Sequence, residues 1–368
     1  GGQWKEVDWQ TALEYVANGL KNIQRDHGAA SIGALVSPHS TVEEAYLAGG
    51  LLRALGSDNV DARLRRAEFV AGEGVQWLGT SIASLSTLQR VLVVGSNLRK
   101  DHPLFALRIR HAVRHGAQLS AIASSAQLAK ADAWAMPVAN SVVTDASGWA
   151  QALADVAAAI AADKGVQAPA AGNPTAQAQA IAKSLLGGER KAILLGNGAA
   201  HHANATSLLV LANWIGEQTG ASVGYLTEAA NTVGVQWAKA QPQTGGKNAA
   251  QMLDGSLKAA LLLNTEPEFD TAAGAAAVAA LEAFAGRLDQ RPSRRWLRKA
   301  APPEERAEHR AGEPHAGRVI LGQAEAFGDV GRREFPVLFR IVDSVQKPLA
   351  LLVFRNVQKE FENHRPIS

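Results

Sequence analysis

The chain has 368 residues, 47% of them hydrophobic and 19% charged, so it is long enough for two domains and too apolar for bulk disorder. It contains no cysteine, which excludes a disulfide framework, a cysteine-ligated zinc or iron–sulfur centre and a cysteine nucleophile. Lys plus Arg total 37 against 34 acidic residues, a net +3 too even to imply a nucleic-acid or anionic-lipid surface.

The chain opens Gly-Gly-Gln-Trp-Lys, without Met and in mid-pattern, as a fragment or processed chain would. No run reaches the roughly 18 apolar residues of a membrane span. The first repeating unit is a β-compatible run, Ile32–Val36, followed by Ser37-Pro38-His39-Ser40. Thr41-Val42-Glu43-Glu44 then has the form of a capping box. The helix that it starts should bury Val42, Ala45, Ala48, Leu52 and Leu55 and end at Gly56. In the second unit Val91–Val94 reads as a strand buried on both faces. Gly95-Ser96-Asn97 turns the chain, and Pro103 opens a helix to about His115. Gly116 stops that helix, and Gln118–Ala123 is the next strand.

A helix from about Asp145 to Asp163 leads to Gly165–Pro174, the best linker candidate. Beyond it the pattern restarts with a helix to Leu186, a strand at Ala192–Leu195, the turn Gly196-Asn197-Gly198 and a helix from about Asn204 to Thr219. Short strands follow at Ser222–Tyr225 and Ala259–Leu263. Alternation of this kind implies right-handed crossovers and an α/β fold of two doubly wound, Rossmann-like lobes. The expected division is 1–165, 174–285 and a divergent tail, 286–368. In that tail region, 13 of the 24 arginines and 7 of the 14 prolines lie at or after Arg287, and only Phe335–Val345 and Leu349–Phe354 recover apolar runs.

Two glycine turns follow strands, where open α/β sheets bind ligands. Gly196-Asn197-Gly198-Ala199-Ala200-His201 begins like a dinucleotide fingerprint, but His201 stands at the third glycine position. No acidic residue ends a following strand at the required distance, since Glu217 falls inside a helix. A tight strand-to-helix turn is the better reading. Gly95-Ser96-Asn97 could offer backbone N–H groups to an anion, or serve as an ordinary turn. His111 and His115 have metal-ligand spacing, yet Arg108, Arg110 and Arg114 beside them favour a solvated basic helix face. His201 and His202 are neighbours at a loop, with no carboxylate at ligand spacing. No catalytic set emerges from spacing.

The residues themselves resemble a known family. Trp4-Lys5-Glu6-Val7-Asp8-Trp9-Gln10-Thr11-Ala12-Leu13, Ser37-Pro38 through Leu47, and Leu55–Asp61 are similar to the molybdopterin oxidoreductases. Val93–Leu104, with Arg108-Ile109-Arg110, Gly116-Ala117-Gln118, Ala230–Gly234 and Leu263–Pro267, resembles the large iron–sulfur subunit of bacterial NADH:quinone oxidoreductase, respiratory complex I. The likeness runs from Trp4 to about Leu281. It implies a structural domain of the peripheral arm, on the cytoplasmic side of the bacterial inner membrane. Its partners would be the iron–sulfur half of the same subunit and other peripheral-arm subunits. No cofactor is then expected in this segment. Iron–sulfur clusters belong to the missing N-terminal half, and molybdopterin and metal are not expected.

On this reading Gly95, Ser96, Asn97, Gly196 and Asn197 occupy vestigial cofactor-contacting turns. The stretch Asp61–Phe69, where active relatives place a metal-ligating residue, offers only charged and apolar side chains. After Leu281 the family's continuation is absent, so the tail is expected to be frameshifted or poorly ordered and the second lobe to have a bare sheet edge. The alternatives are a fragment of a molybdenum-cofactor oxidoreductase and a free-standing nucleotide-binding module.

Overall fold

The computed structural model describes residues 5–69, 74–128, 134–284, 319–321, 338–344 and 347–354. Its strands are β1 (Lys5–Val7), β2 (Ile32–Val36), β3 (Val60–Asp61), β4 (Arg90–Val94), β5 (Gln118–Ala123), β6 (Asn140–Val143), β7 (Lys191–Leu195), β8 (Ser222–Tyr225), β9 (Ala259–Leu263), β10 (Val319–Leu321), β11 (Leu338–Ser344) and β12 (Lys347–Phe354). They form two sheets in two compact units. One unit is Arg66–Val233, and the other combines Gly1–Arg65 with Gly234–Ser368.

In the continuous unit the sheet is five-stranded and wholly parallel, in the order β6-β5-β4-β7-β8. Successive side chains on a strand point to opposite faces, and both faces are apolar. Leu92, Val94, Ile122, Ile193 and Leu195 face the helices Trp149–Lys164, Ala176–Leu186 and Ala205–Thr219. Val91, Val93, Leu119, Ala121, Ala192 and Leu194 pack with Leu85, Leu98, Ile109 and Trp134 on the other side. The chain winds outward through β4, β5 and β6, then returns to place β7 beside β4. That return is a topological switch point.

The discontinuous unit carries a mixed seven-stranded sheet, β1-β10-β11-β12-β9-β2-β3. β12, β9, β2 and β3 run parallel, whereas β1 with β10 and β11 with β12 are antiparallel. β2 and β9 are buried along their whole length, which suits Ile-Gly-Ala-Leu-Val and Ala-Ala-Leu-Leu-Leu. Helix Trp9–His27 is capped by Asp8, whose carboxylate accepts the Thr11 N–H, and it buries Ala12, Val16, Leu20 and Ile23. The capping box of Thr41 and Glu44 is present in both directions. The helix that it starts buries Ala45, Ala48 and Leu52, but Val42, expected on the same face, is 44% exposed. At the first helical position its side chain lies ahead of the packed turn.

Two expectations are corrected. The division near 165–174 is not a domain boundary, because β4–β6 before it and β7–β8 after it belong to one sheet. Gly165 ends a helix in the left-handed region and the chain then re-enters the same unit, so linker-like composition marks a crossover connection. Nor is β9 left at a bare edge, since β12 pairs with it in parallel from Ala350↔Ala259 to Phe354↔Leu263. The two late apolar runs supply β11 and β12. The remaining expectations for 286–368 lie outside the described residues. No helix among the described residues is long and apolar enough to cross a membrane.

Candidate functional site

The C-terminal ends of β4 and β7 adjoin at the switch point of the continuous unit, and both glycine turns lie there. Gly196 N–H donates to Val94 O at 2.8 Å, and Gly198 N–H donates to Gly95 O at 2.9 Å. Gly95 has φ +67°, and a Cβ there would lie 2.7 Å from Trp149 and 2.8 Å from the Ala199 nitrogen. A Cβ on Gly196 would lie 2.3 Å from that of Ser96. Glycine is therefore required at both positions by close approach of one turn to the other. Gly95, Ser96, Asn97, Gly196 and Asn197 are thus neighbours in space, although a hundred residues separate the two groups in sequence.

Two donors of the first turn are engaged by one carboxylate of the chain. Asp101 Oδ2 accepts the Asn97 N–H at 2.8 Å and bonds the fully buried Ser96 hydroxyl at 3.1 Å. Asn97 in turn caps the short helix Leu98–Asp101 by accepting the Lys100 N–H.

The second turn is different. The Oδ1 of Asn197 and the Nε1 of Trp149 are both buried without a hydrogen-bond partner. His201, at the third position of the incomplete fingerprint, pairs through Nε2 with Glu228 Oε2 at 2.7 Å. Glu228 lies past the end of β8, farther from the glycine turn than the roughly 20 residues at which a dinucleotide fold places its ribose-binding acid. Sequence spacing missed it because it lies beyond the strand end, after Leu226 and Thr227. The fold thus brings a carboxylate to His201 from far along the chain, which spacing in the sequence does not record. His202 bonds instead to Ala146 O at 3.0 Å and accepts the Asn204 N–H at 2.9 Å.

The discontinuous unit repeats this arrangement between β2 and β9. Asn264 has φ +53°, Thr265 is buried, and Glu266 N–H donates to Asp270 Oδ2 at 2.7 Å. Residue for residue, Asn264, Thr265, Glu266 and Asp270 stand where Gly95, Ser96, Asn97 and Asp101 stand in the other unit. Neither aspartate was singled out by sequence. The available signal was the shared four-residue interval between the capping position and an aspartate.

At the end of β3 the Asp61 carboxylate is fully buried, with Arg63 Nε at 2.8 Å, Arg63 Nη2 at 3.1 Å and the Ala249 N–H at 3.0 Å. The Arg63 N–H adds a fourth bond at 3.0 Å. Among the described residues, no three or more His, Asp or Glu side chains gather as a metal-binding group. The His111 and His115 rings pack at a tilt of 40° with centroids 4.3 Å apart, at the opposite end of the strands from the glycine turns.

His102 lies next to Asp101 and is 7% exposed, with its Nε2 buried and unpartnered. Burial holds its imidazole below the usual histidine value, and the Asp101 charge offsets part of that.

Comparison with known proteins adds the family. An alpha subunit of an NADPH-Fe(3+) oxidoreductase from Geobacter sulfurreducens (strain DL-1 / KN400) is 32% identical over 124 residues, 31% of this chain and 15% of that protein. The Bacillus subtilis (strain 168) protein named "Probable oxidoreductase YjgC" is 31% identical over 119 residues, 30% of this chain and 12% of that protein. The matched stretch is thus under a sixth of either relative's length. Among solved structures, a chain of the formyltransferase/hydrolase complex from Methylorubrum extorquens aligns at TM-score 0.49 and 20% identity, covering 72% of this chain and 77% of that one. The sequence profile described as molybdopterin oxidoreductase matches residues 1–285, more than three quarters of the chain. The chain therefore belongs to the molybdopterin oxidoreductase family.

Proposed function

We propose that this chain is a structural, non-catalytic segment of the large peripheral-arm subunit of bacterial NADH:quinone oxidoreductase. It would support electron transfer from NADH to quinone without a redox centre of its own. Its partners would be the iron–sulfur half of the same subunit and neighbouring peripheral-arm subunits, at the cytoplasmic face of the inner membrane. The observation that carries the reading is the closure of the first glycine turn by Asp101. A pterin-dinucleotide phosphate approaching Ser96 and Asn97 would have to displace that carboxylate, and two negative groups so close repel each other. Asp270 stands against the same approach at Glu266 in the second unit. At β3, Asp61 is saturated by Arg63 and Ala249 and has little capacity left for a metal. The donor set does not fit the family cofactor, and no chemical step is assigned to it.

A second reading, a segment of a molybdenum-cofactor oxidoreductase, is favoured by one feature: the unpartnered Asn197 Oδ1 and Trp149 Nε1 at the other turn. Elemental analysis for molybdenum and fluorescence detection of oxidised pterin, both on the purified full chain, separate the two. The structural reading expects neither at a meaningful fraction of the chain, together with stable co-purification of the cluster-bearing segment when the two are co-expressed. About one molybdenum and one pterin per chain, lost on Asn197→Ala, would overturn it.

A further inference from the structure

The strands of the five-stranded sheet have a second end, and the residues there carry a different chemistry. A cleft of about 470 Å³ opens at the N-terminal ends of β4 and β7, lined by Gln89, Arg90, His111, His115, Gly188 and Arg190 among others. No Asp or Glu is among the described residues that line it. Arg90, the first residue of β4, donates through Nη1 to Gln89 O at 2.8 Å, while its Nε is buried with no acceptor. Arg190, from the turn before β7, uses Nε on Thr87 O at 2.7 Å and is otherwise exposed. His115 uses Nδ1 on His111 O at 2.8 Å, which leaves its Nε2 available. Basic groups predominate nearby, with Glu189 standing between Gly188 and Arg190. Burial first, then the charges of Lys164 and Arg90, hold the neighbouring Lys191 ammonium below the usual lysine value.

We infer that this cleft binds a phosphate group, held by Arg90 and Arg190 with His111 and His115 completing the donor set. Strand, loop and helix each contribute donors, so an anion with several acceptor oxygens is met from more than one side. The cleft is open to solvent and has room for a phosphate carried on a small molecule. The site lies at the opposite end of the strands from the glycine turns and does not depend on the function proposed above.

The test is titration of the full chain with inorganic phosphate at constant ionic strength, followed by calorimetry and by the histidine ring resonances. Saturable binding that shifts the His111 and His115 signals is expected. Arg90→Gln should weaken it at least tenfold and Arg99→Gln, at the other end of the strands, should leave it unchanged. Arg190→Gln is the companion variant should Arg90→Gln fail to fold, because the Arg190 side chain is exposed and is held by one hydrogen bond, to the Thr87 carbonyl. A parallel titration with glutarate should bind at least tenfold more weakly. Two outcomes would overturn the inference. One is absence of saturation, as expected if these side chains only complement the C-terminal carbonyls of helix Pro103–Arg114. The other is equal or tighter binding of glutarate.

Discussion

Asp101 joins two neighbouring donors, a backbone N–H and a buried hydroxyl, to one carboxylate. Its replacement by alanine leaves both without that acceptor. Loss of a capping carboxylate of this kind costs about 1 kcal/mol, so Asp101→Ala should lower the urea midpoint modestly while far-ultraviolet circular dichroism stays unchanged. Gly95 is less tolerant. Alanine there meets both the left-handed backbone and the Trp149 ring at 2.7 Å, and the two effects together should cost about 3 kcal/mol in equilibrium unfolding. His102 supplies a pH signature. Its folded pKa lies below the unfolded value of 6.5, so its contribution is fully present above that pH. The contribution is lost as pH falls through the lowered folded value, because the unfolded chain takes up the proton first. Stability measured across that window should fall less steeply in His102→Gln than in the parent chain.

At the scale of elements, periodicity was a good guide wherever one face or both faces of a segment were apolar. Ile32–Val36, Gln118–Ala123, Ser222–Tyr225 and Ala259–Leu263 match strands to the residue, the first and last as apolar runs and the other two as short segments that follow a helix-ending glycine. Asn140–Val143 and Val60–Asp61 were not legible. The first is half-exposed and polar, and the second is two residues long, so neither leaves a pattern. The glycine turns were legible as turns, but their meeting was not, since nothing local records that β7 returns beside β4. The internal carboxylates were invisible for a related reason: an aspartate four residues along a helix start looks like any solvated charge. Packing at the centre of the continuous unit yields a direct test. Leu92 is fully buried between β5 and β7 among the helices of one face. Leu92→Ala should cost about 2–5 kcal/mol, read as a shift in the chemical-denaturation midpoint.

For the molecule as a whole, the boundary between units differs from the one that composition suggested, and the two divisions make opposite predictions. All five strands of the parallel sheet and the helices on both its faces lie within residues 66–233. Expressed alone, that segment should fold cooperatively and give a dispersed nitrogen–proton spectrum. A fragment ending at residue 165 should not, because it separates β4 from β7 and exposes Leu92, Val94 and their neighbours. A collapsed 66–233 fragment beside a well-folded 1–165 fragment would reverse the assignment.

The insertion of one unit into the other also sets an order of events during synthesis. β2 pairs with β9, and Leu35 and Leu262 face each other although 227 residues separate them. At roughly 5–20 residues per second, β2 waits on the order of ten to fifty seconds after leaving the ribosome before its partner is made. The inserted unit is complete well before then. Once folded, it holds the ends of a long intervening segment in a fixed geometry, so the late pairing closes a shorter effective loop. During that wait β2, apolar along its whole length, has no β9 to cover it. The interval is the point in the life of this chain at which a chaperone or an early-binding partner has the most to protect.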